Sequence, residues 1–259
     1  MDKKLPVKKM SLSQFLTMPD IQNKVQKILQ ARSRQFLASL LSLASQEKAL
    51  LECEYNSLLY ACMKAAALDL PLGNEIGFIY VVPYRVEGKT LAQLQIGYKG
   101  LIQLCLRTGQ FRKINVVDVR EGELKKWNPL TEEFEMEFLP EREKRPIVGY
   151  VAFFETVNGF SKYLYESKEK LLEHGKKFSK TFDNPKAPWQ AFTDEMCRKT
   201  LLKKILSKWA PVSVELVEAI KVDQGIVKLQ EHETLEGVVL TEVEYPDNPL
   251  NDNNKGGTK

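Results

Sequence analysis

The chain has 259 residues, 43% of them hydrophobic, which is long and apolar enough for a packed core and unlike a disordered composition. No run of about 18 apolar residues occurs and Met1–Pro6 carries no apolar secretory stretch, so neither a membrane helix nor export is expected and a cytoplasmic location is. The net charge of +4 hides a division: residues 1–222 hold 35 Lys+Arg against 26 Asp+Glu, and residues 223–259 hold 3 against 8.

A basic body with an acidic tail points to nucleic acid as a partner and to a separate interaction segment. The cysteines at 53, 62, 105 and 197 form no Cys-x-x-Cys pair, which argues for reduced thiols over a disulfide framework or a zinc site. His174 and His232 lie far apart in charged surroundings and read as solvated surface residues, which leaves no basis for a histidine metal site or catalytic triad.

In chain order, residues 1–10 read as a flexible basic N-terminus. The pattern from about 12 to 68 is helical, with Phe36, Leu37, Leu40, Leu41 and Leu43 on one element and Leu58, Leu59, Cys62, Ala65 and Ala66 on another. Residues 77–83 and 91–96 read as strands joined by a polar turn near Glu87-Gly88. A helix over 99–108 follows, with Gly109 as its C-cap. Strands are expected at 113–119, 134–138, 147–156 and 160–165, the last two joined at Asn158-Gly159, a strong hairpin signal. Helices are expected at about 167–178, 188–209 and 212–221. Clustered strands among helices favour an α+β fold, a small mostly antiparallel sheet packed against several helices, over a regular βαβ array. The expected organisation is a single domain over 11–222, followed by a flexible acidic tail over 223–259, whose run Val238–Val243 is short and apolar.

The most informative segment is residues 187–209. Pro188 suits a first helical turn, and Asp194 and Glu195 lie toward the positive end of the dipole. Leu201, Leu202, Ile205, Leu206 and Trp209 form one apolar stripe, with Lys199, Lys203, Lys204 and Lys208 along its borders. Glu195 with Lys199 and Asp194 with Arg198 fit local i,i+4 pairs. Lys203, Lys204 and Lys208 have no acidic residue three or four positions away. Arg198 falls inside the apolar stripe, where a guanidinium needs a buried partner or a groove that admits an anion.

Several blocks in order, Ile96-Gly97-Tyr98-Lys99-Gly100-Leu101, Arg107-Thr108-Gly109-Gln110, Val119-Arg120-Glu121-Gly122-Glu123, Pro188-Trp189, Glu195-Met196, Arg198-Lys199-Thr200 and Pro211-Val212-Ser213-Val214-Glu215, resemble the RecT family of phage single-strand DNA annealing proteins. A looser likeness extends the resemblance to about residues 15–222. The sequence departs from it at Cys197 and Arg198, where a small residue and a lysine are expected; arginine keeps the charge. The resemblance implies recombination in a phage or prophage setting within a bacterial cell, a homo-oligomeric ring or helical filament, and cooperation with a 5′-to-3′ exonuclease. The tail is a candidate contact for that nuclease or for the host single-strand-binding protein.

Free N–H groups at the start of the 99–108 helix and the Lys99 ammonium suit phosphate, and Arg107, Arg112 and Lys113 gather near its far end. Lys125 and Lys126 precede Trp127. Stacking on an aromatic contributes roughly 1–3 kcal/mol per base, which makes Trp189, Tyr98 and Trp127 candidates, whereas Trp209 reads as core. The expected DNA-contact set is therefore Lys99, Arg107, Arg112, Lys113, Lys125, Lys126, Trp189, Arg198, Lys199, Lys203, Lys204 and Lys208. No Gly-x-x-x-x-Gly-Lys-Ser/Thr phosphate cradle occurs, which disfavours ATP-driven strand exchange.

The expected function is ATP-independent binding and annealing of single-stranded DNA, without catalytic residues and without a required cofactor, Mg2+ being allowed. Two alternatives stand beside it: a metal-dependent nuclease built on Asp118, Glu121 and Glu123, and a passive single-stranded nucleic-acid-binding scaffold.

Overall fold

The computed structural model describes residues 10–220, apart from 74, 87, 180, 186, 212, 215 and 218, together with two short strands at 226–228 and 242–244. Its fold is α+β, as the sequence predicts, with small antiparallel sheets packed against helices. Residues 11–222, expected as one domain, fall into two compact units that meet in sequence between Gln95 and Ile96.

In the first unit, α1 (Leu12–Leu16) opens with a capping box between Ser11 and Gln14. It is followed by α2 (Pro19–Leu29), α3 (Ser33–Gln46) and α4 (Tyr55–Ala67). Leu40, Leu58, Cys62 and Ala65 are fully buried among them, and the alanines on α4 allow close helix approach. β1 (Ile79–Val86) and β2 (Lys89–Ile96) form a two-stranded sheet. Ser57 of α4 ties to it by accepting the Ala92 N–H at 2.8 Å. Gly88, at φ 81, supplies the left-handed turn residue expected between the strands.

The second unit begins with α5 (Tyr98–Arg107), capped by Gly109 at φ 67. β3 (Phe111–Arg120), β6 (Ile147–Thr156) and β7 (Ser161–Ser167) form an antiparallel sheet in the order β3-β6-β7, and β4 (Leu124–Asn128) pairs with β5 (Glu133–Met136) in a separate hairpin. The period-2 rule sorts β6 cleanly. Tyr150, Ala152 and Phe154 are fully buried, and the Tyr150 hydroxyl reaches a helix of this unit at Asp194. On the alternate positions, Phe153 packs on Tyr163, Tyr163 stacks on Phe134, and Trp127 meets Tyr165, so the aromatics of the β4–β5 hairpin line up with those of β6 and β7.

Three helices complete the unit: α6 (Lys168–Phe178), α7 (Pro188–Ala191) and α8 (Thr193–Trp209). The helix expected over 188–209 is thus broken at Phe192, whose φ of −137° and ψ of 51° are not helical. α8 packs on β3, β6 and β7 and against α5 and α6, burying Cys197, Leu201, Leu202, Ile205 and Leu206. In the region of the expected tail, β8 (Ile226–Lys228) and β9 (Glu242–Glu244) pair antiparallel. The rest of 223–259, with His232 and the run at 238–241, lies outside the described residues, as does part of the expected helix 212–221.

Candidate nucleic-acid interface

α8 is fastened to the sheet by its own charges. Asp118 of β3 and Tyr150 of β6 are register partners, and residues one helical turn apart on α8 meet them. Arg198 donates from Nη2 to Asp118 Oδ1 at 3.2 Å and lies 5.8 Å from the Tyr150 ring centroid, while Tyr150 donates its hydroxyl to Asp194 Oδ1 at 2.5 Å. The i,i+4 pair expected between Asp194 and Arg198 is replaced by two contacts to the sheet. Burial and then the Asp194 hydrogen bond push the Tyr150 hydroxyl pKa strongly up.

Asp118 is the centre of an arginine–carboxylate cluster. Arg120 Nε donates to it at 2.8 Å and Arg142 Nη2 at 3.3 Å, and Arg142 Nε also donates to Glu123 Oε1 at 2.8 Å. Burial works to raise the Asp118 pKa, but the Arg120 hydrogen bond, its own backbone N–H and the charges of Arg142 and Arg120 hold it below the usual carboxylate value. The Glu123 side chain is fully buried and is kept ionised first by the Arg142 hydrogen bond.

This arrangement bears on two expectations. Arg198 has the buried partner its place in the apolar stripe demanded, and so anchors the helix to the sheet. Asp118 and Glu123, two of the three carboxylates weighed for a nuclease, are engaged by arginines, whose charge opposes a divalent cation at the same oxygens. No group of His, Cys, Asp and Glu among the described residues has the arrangement to hold a metal ion.

Lys204, which has no local acidic partner, finds one across the fold: its Nζ lies 2.7 Å from Glu166 Oε2 on β7. Glu166 also meets Lys170 of α6 at 3.5 Å. Lys199 and Lys203 are half-buried on α8, and Lys208 is exposed with its ammonium 4.5 Å from the Trp209 ring centroid. Trp209 is not the core residue expected. It is half-buried, with Lys162 over its ring at 5.3 Å as well. Trp189 is the reverse case: at 6% exposure it packs on Phe182 and directly over Gly175, so it is a core residue and not a stacking platform.

The other expected contacts are spread over the unit. Lys99 and Arg107 are exposed at the two ends of α5. Arg112 and Lys113 both pair with Glu155, at 3.1 and 3.2 Å. Lys125 meets Glu137 at 3.4 Å and Lys126 meets Glu133 at 2.7 Å across the β4–β5 hairpin; these side chains are about half exposed, so the pairs are worth little and are open to exchange.

His174 was missed by sequence reasoning. It is half-buried against Phe178 on α6, not solvated. Burial, then the charges of Lys204, Lys203 and Lys177, lower its pKa to about 4 against the opposing pull of Glu166. No disulfide joins the four cysteines, all of them buried, and burial raises the thiols of Cys62 and Cys105 to about 12 and Cys197 to about 11, which makes these three unreactive packing groups. No helix among the described residues is long and apolar enough to cross a membrane.

Fold and site together define an α+β chain in which a lysine-bordered helix is pinned across an antiparallel sheet. The chain belongs to the RecT family, whose model matches residues 34–236. It is 42% identical over 241 residues to the uncharacterized protein YqaK of Bacillus subtilis (strain 168), covering 92% of this chain and 79% of that protein. With Protein RecT of Escherichia coli (strain K12) it shares 29% identity over 189 residues, covering 68% of this chain and 65% of that protein.

Proposed function

We propose that this protein binds single-stranded DNA and anneals complementary strands in phage-type homologous recombination in the bacterial cytoplasm, without ATP and without a catalytic step. Membership of the RecT family over residues 34–236 carries this reading. In physical terms, two polyanions repel, and lining one of them with lysines lowers the Coulomb cost of bringing the second alongside. Base pairing then supplies both specificity and driving force, so the protein has only phosphate and backbone shape to recognise.

On this reading the pinned helix α8 presents Lys199, Lys203 and Lys208 at a fixed spacing, while Arg198 and Lys204 hold the helix to the sheet. Lys99 and Arg107 on α5 extend the cationic surface, and Arg112, Lys113, Lys125 and Lys126 join when phosphate displaces their carboxylate partners. A strand longer than one subunit calls for a homo-oligomer, ring or helical filament, with the strand held by its backbone and its base edges open. A phage exonuclease and the host single-strand-binding protein are the proposed partners of the segment after residue 222. Neither nucleotide nor metal is required, although Mg2+ lowers repulsion between the strands.

The test is the rate of pairing between two complementary oligonucleotides, one carrying a fluorophore and the other a quencher, with and without protein and with no nucleotide present. Acceleration without strand cleavage supports annealing. Mg2+-dependent cleavage would favour the nuclease, and binding with no acceleration would favour a passive scaffold.

A further inference from the structure

Besides the border of α8 itself, the second unit carries a cationic strip that the sequence motifs do not contain. Lys170, His174 and Lys177 stand at i, i+4 and i+7 on α6 and so share one helix face. α6 packs against α8, and the ion pairs at Glu166 show that lysines of the two helices converge. Glu166 is held jointly by Lys170 of α6 and Lys204 of α8. His174 lies within the fields of Lys204, Lys203 and Lys177. Lys170 and Lys204 thus share one buried carboxylate, and Lys203 and Lys177 lie near His174 beside it. Glu169 and Glu173 of α6 stay exposed, and neither forms an ion pair with Lys170 or Lys177 among the described residues.

A solvated helix end explains Lys176 and Lys177 through the helix dipole. It does not explain why Lys170, Lys203 and Lys204 gather around Glu166 and His174. Lys170 and Lys204 draw on a single carboxylate across the two helices, so an anion from outside adds a second counter-charge at the seam. From Lys170 to Lys177 the helix rises about 10 Å, longer than the ~3.4 Å between successive charges along one strand of a duplex, so the strip meets more than one phosphate.

We propose that the α6–α8 seam is a second phosphate track for the DNA strand, with Lys170 and Lys177 of α6 acting beside Lys203 of α8. The proposal rests on the annealing function above and extends its contact set to a helix outside the motifs that carry the family resemblance. His174 lies beside the track as a built-in reporter, since a bound phosphate offsets the lysine charges that, after burial, lower its pKa.

Binding of a fluorescent single-stranded oligonucleotide, followed by anisotropy over a range of salt concentrations, tests the track in the full chain. Lys170→Gln with Lys177→Gln changes two exposed side chains and leaves Lys204 to hold Glu166, and circular dichroism confirms the fold. The slope of log K against log salt is expected to become shallower by about 1.4, at about 0.7 per lost single-strand contact. In the unsubstituted protein, the pKa of the His174 ring followed by NMR is expected to rise when the oligonucleotide is added. An unchanged slope in the folded variant, or a His174 pKa indifferent to DNA, overturns the track. The two readings fail separately: wild-type protein that anneals while the variant keeps its slope removes only the track, whereas wild-type protein that does not speed pairing removes the annealing function.

Discussion

Arg198 of α8 donates to Asp118 of β3 at 3.2 Å, and this one contact joins the lysine-bordered helix to the strand at the centre of the arginine–carboxylate cluster. Their side chains are 21% and 12% exposed, so the pair is shielded enough for its loss to leave a poorly solvated charge. Arg198→Ala is expected to destabilise the fold by about 3 kcal/mol, the lower end of the range for breaking a buried pair. Arg198→Lys keeps the charge but loses the planar fork and its place over Tyr150, and should cost less. Urea unfolding of both variants checks the order; equal stability to wild type would remove the anchor role.

Acid should weaken the protein in two steps. His174 has a folded-state pKa lowered to about 4, below its ordinary value of about 6.5. Above that ordinary value both states are neutral and nothing is lost. As pH falls from about 6.5 toward 4 the unfolded state takes the proton more readily, so stability declines. Asp118 and Glu123, held low by arginines, contribute fully above the ordinary carboxylate range and lose that contribution as pH falls from there through their depressed folded values. Urea midpoints at neutral and mildly acidic pH should therefore fall for wild type and stay flat over that first window for His174→Gln.

Two glycines are required by their neighbours. A Cβ at Gly175 would lie 2.7–2.8 Å from the indole ring of Trp189, and one at Gly149 would lie 2.6 Å from Tyr165 and 2.8 Å from the Glu166 carbonyl oxygen. Gly175→Ala would push α6 off Trp189, and Gly149→Ala would force β6 from β7. Each is expected to cost about 1–3 kcal/mol, the usual price of overpacking, readable as a lower Tm. Trp189→Phe with Gly175→Ala, by thinning the ring above the new methyl, should recover part of the loss.

Lys99→Ala should weaken binding to oligonucleotides of unrelated sequence by about the same factor, with a salt slope shallower by about 0.7, because a phosphate contact carries no base information. Anisotropy titrations on two sequences at three salt concentrations decide it. A loss confined to one sequence would assign Lys99 to a base contact instead.

Much of the architecture was readable from local signals. Alternation marked β2, an apolar run marked β6, Asn158-Gly159 marked the hairpin between β6 and β7, and the apolar stripe of α8 marked the face that packs on the sheet. The placement of Arg198 in that stripe was enough to demand a buried partner, but not to name Asp118, which is 80 positions away. Lys204 looked unneutralised for the same reason: i,i+4 reasoning sees one helix, and Glu166 comes from a strand 38 residues earlier.

Both tryptophans departed from expectation, Trp189 being core and Trp209 half-buried. The break at Phe192 turns Trp189 inward over Gly175, and Trp209, at the last turn of α8, meets Lys162 and Lys208. β4 was missed because Lys125-Lys126 reads as a surface turn, although its cross-strand partners Glu133 and Glu135 give it the charge pattern of a paired hairpin.

The pinned helix as a surface for pairing strands is tested by stopped-flow annealing of complementary oligonucleotides, without nucleotide, using wild-type protein and the folded double variant Lys203→Ala with Lys208→Ala. Wild type should speed pairing well above the protein-free rate, and the double variant should lose most of that gain at moderate salt. A double variant that anneals as fast as wild type, or a wild type no faster than buffer alone, would contradict it.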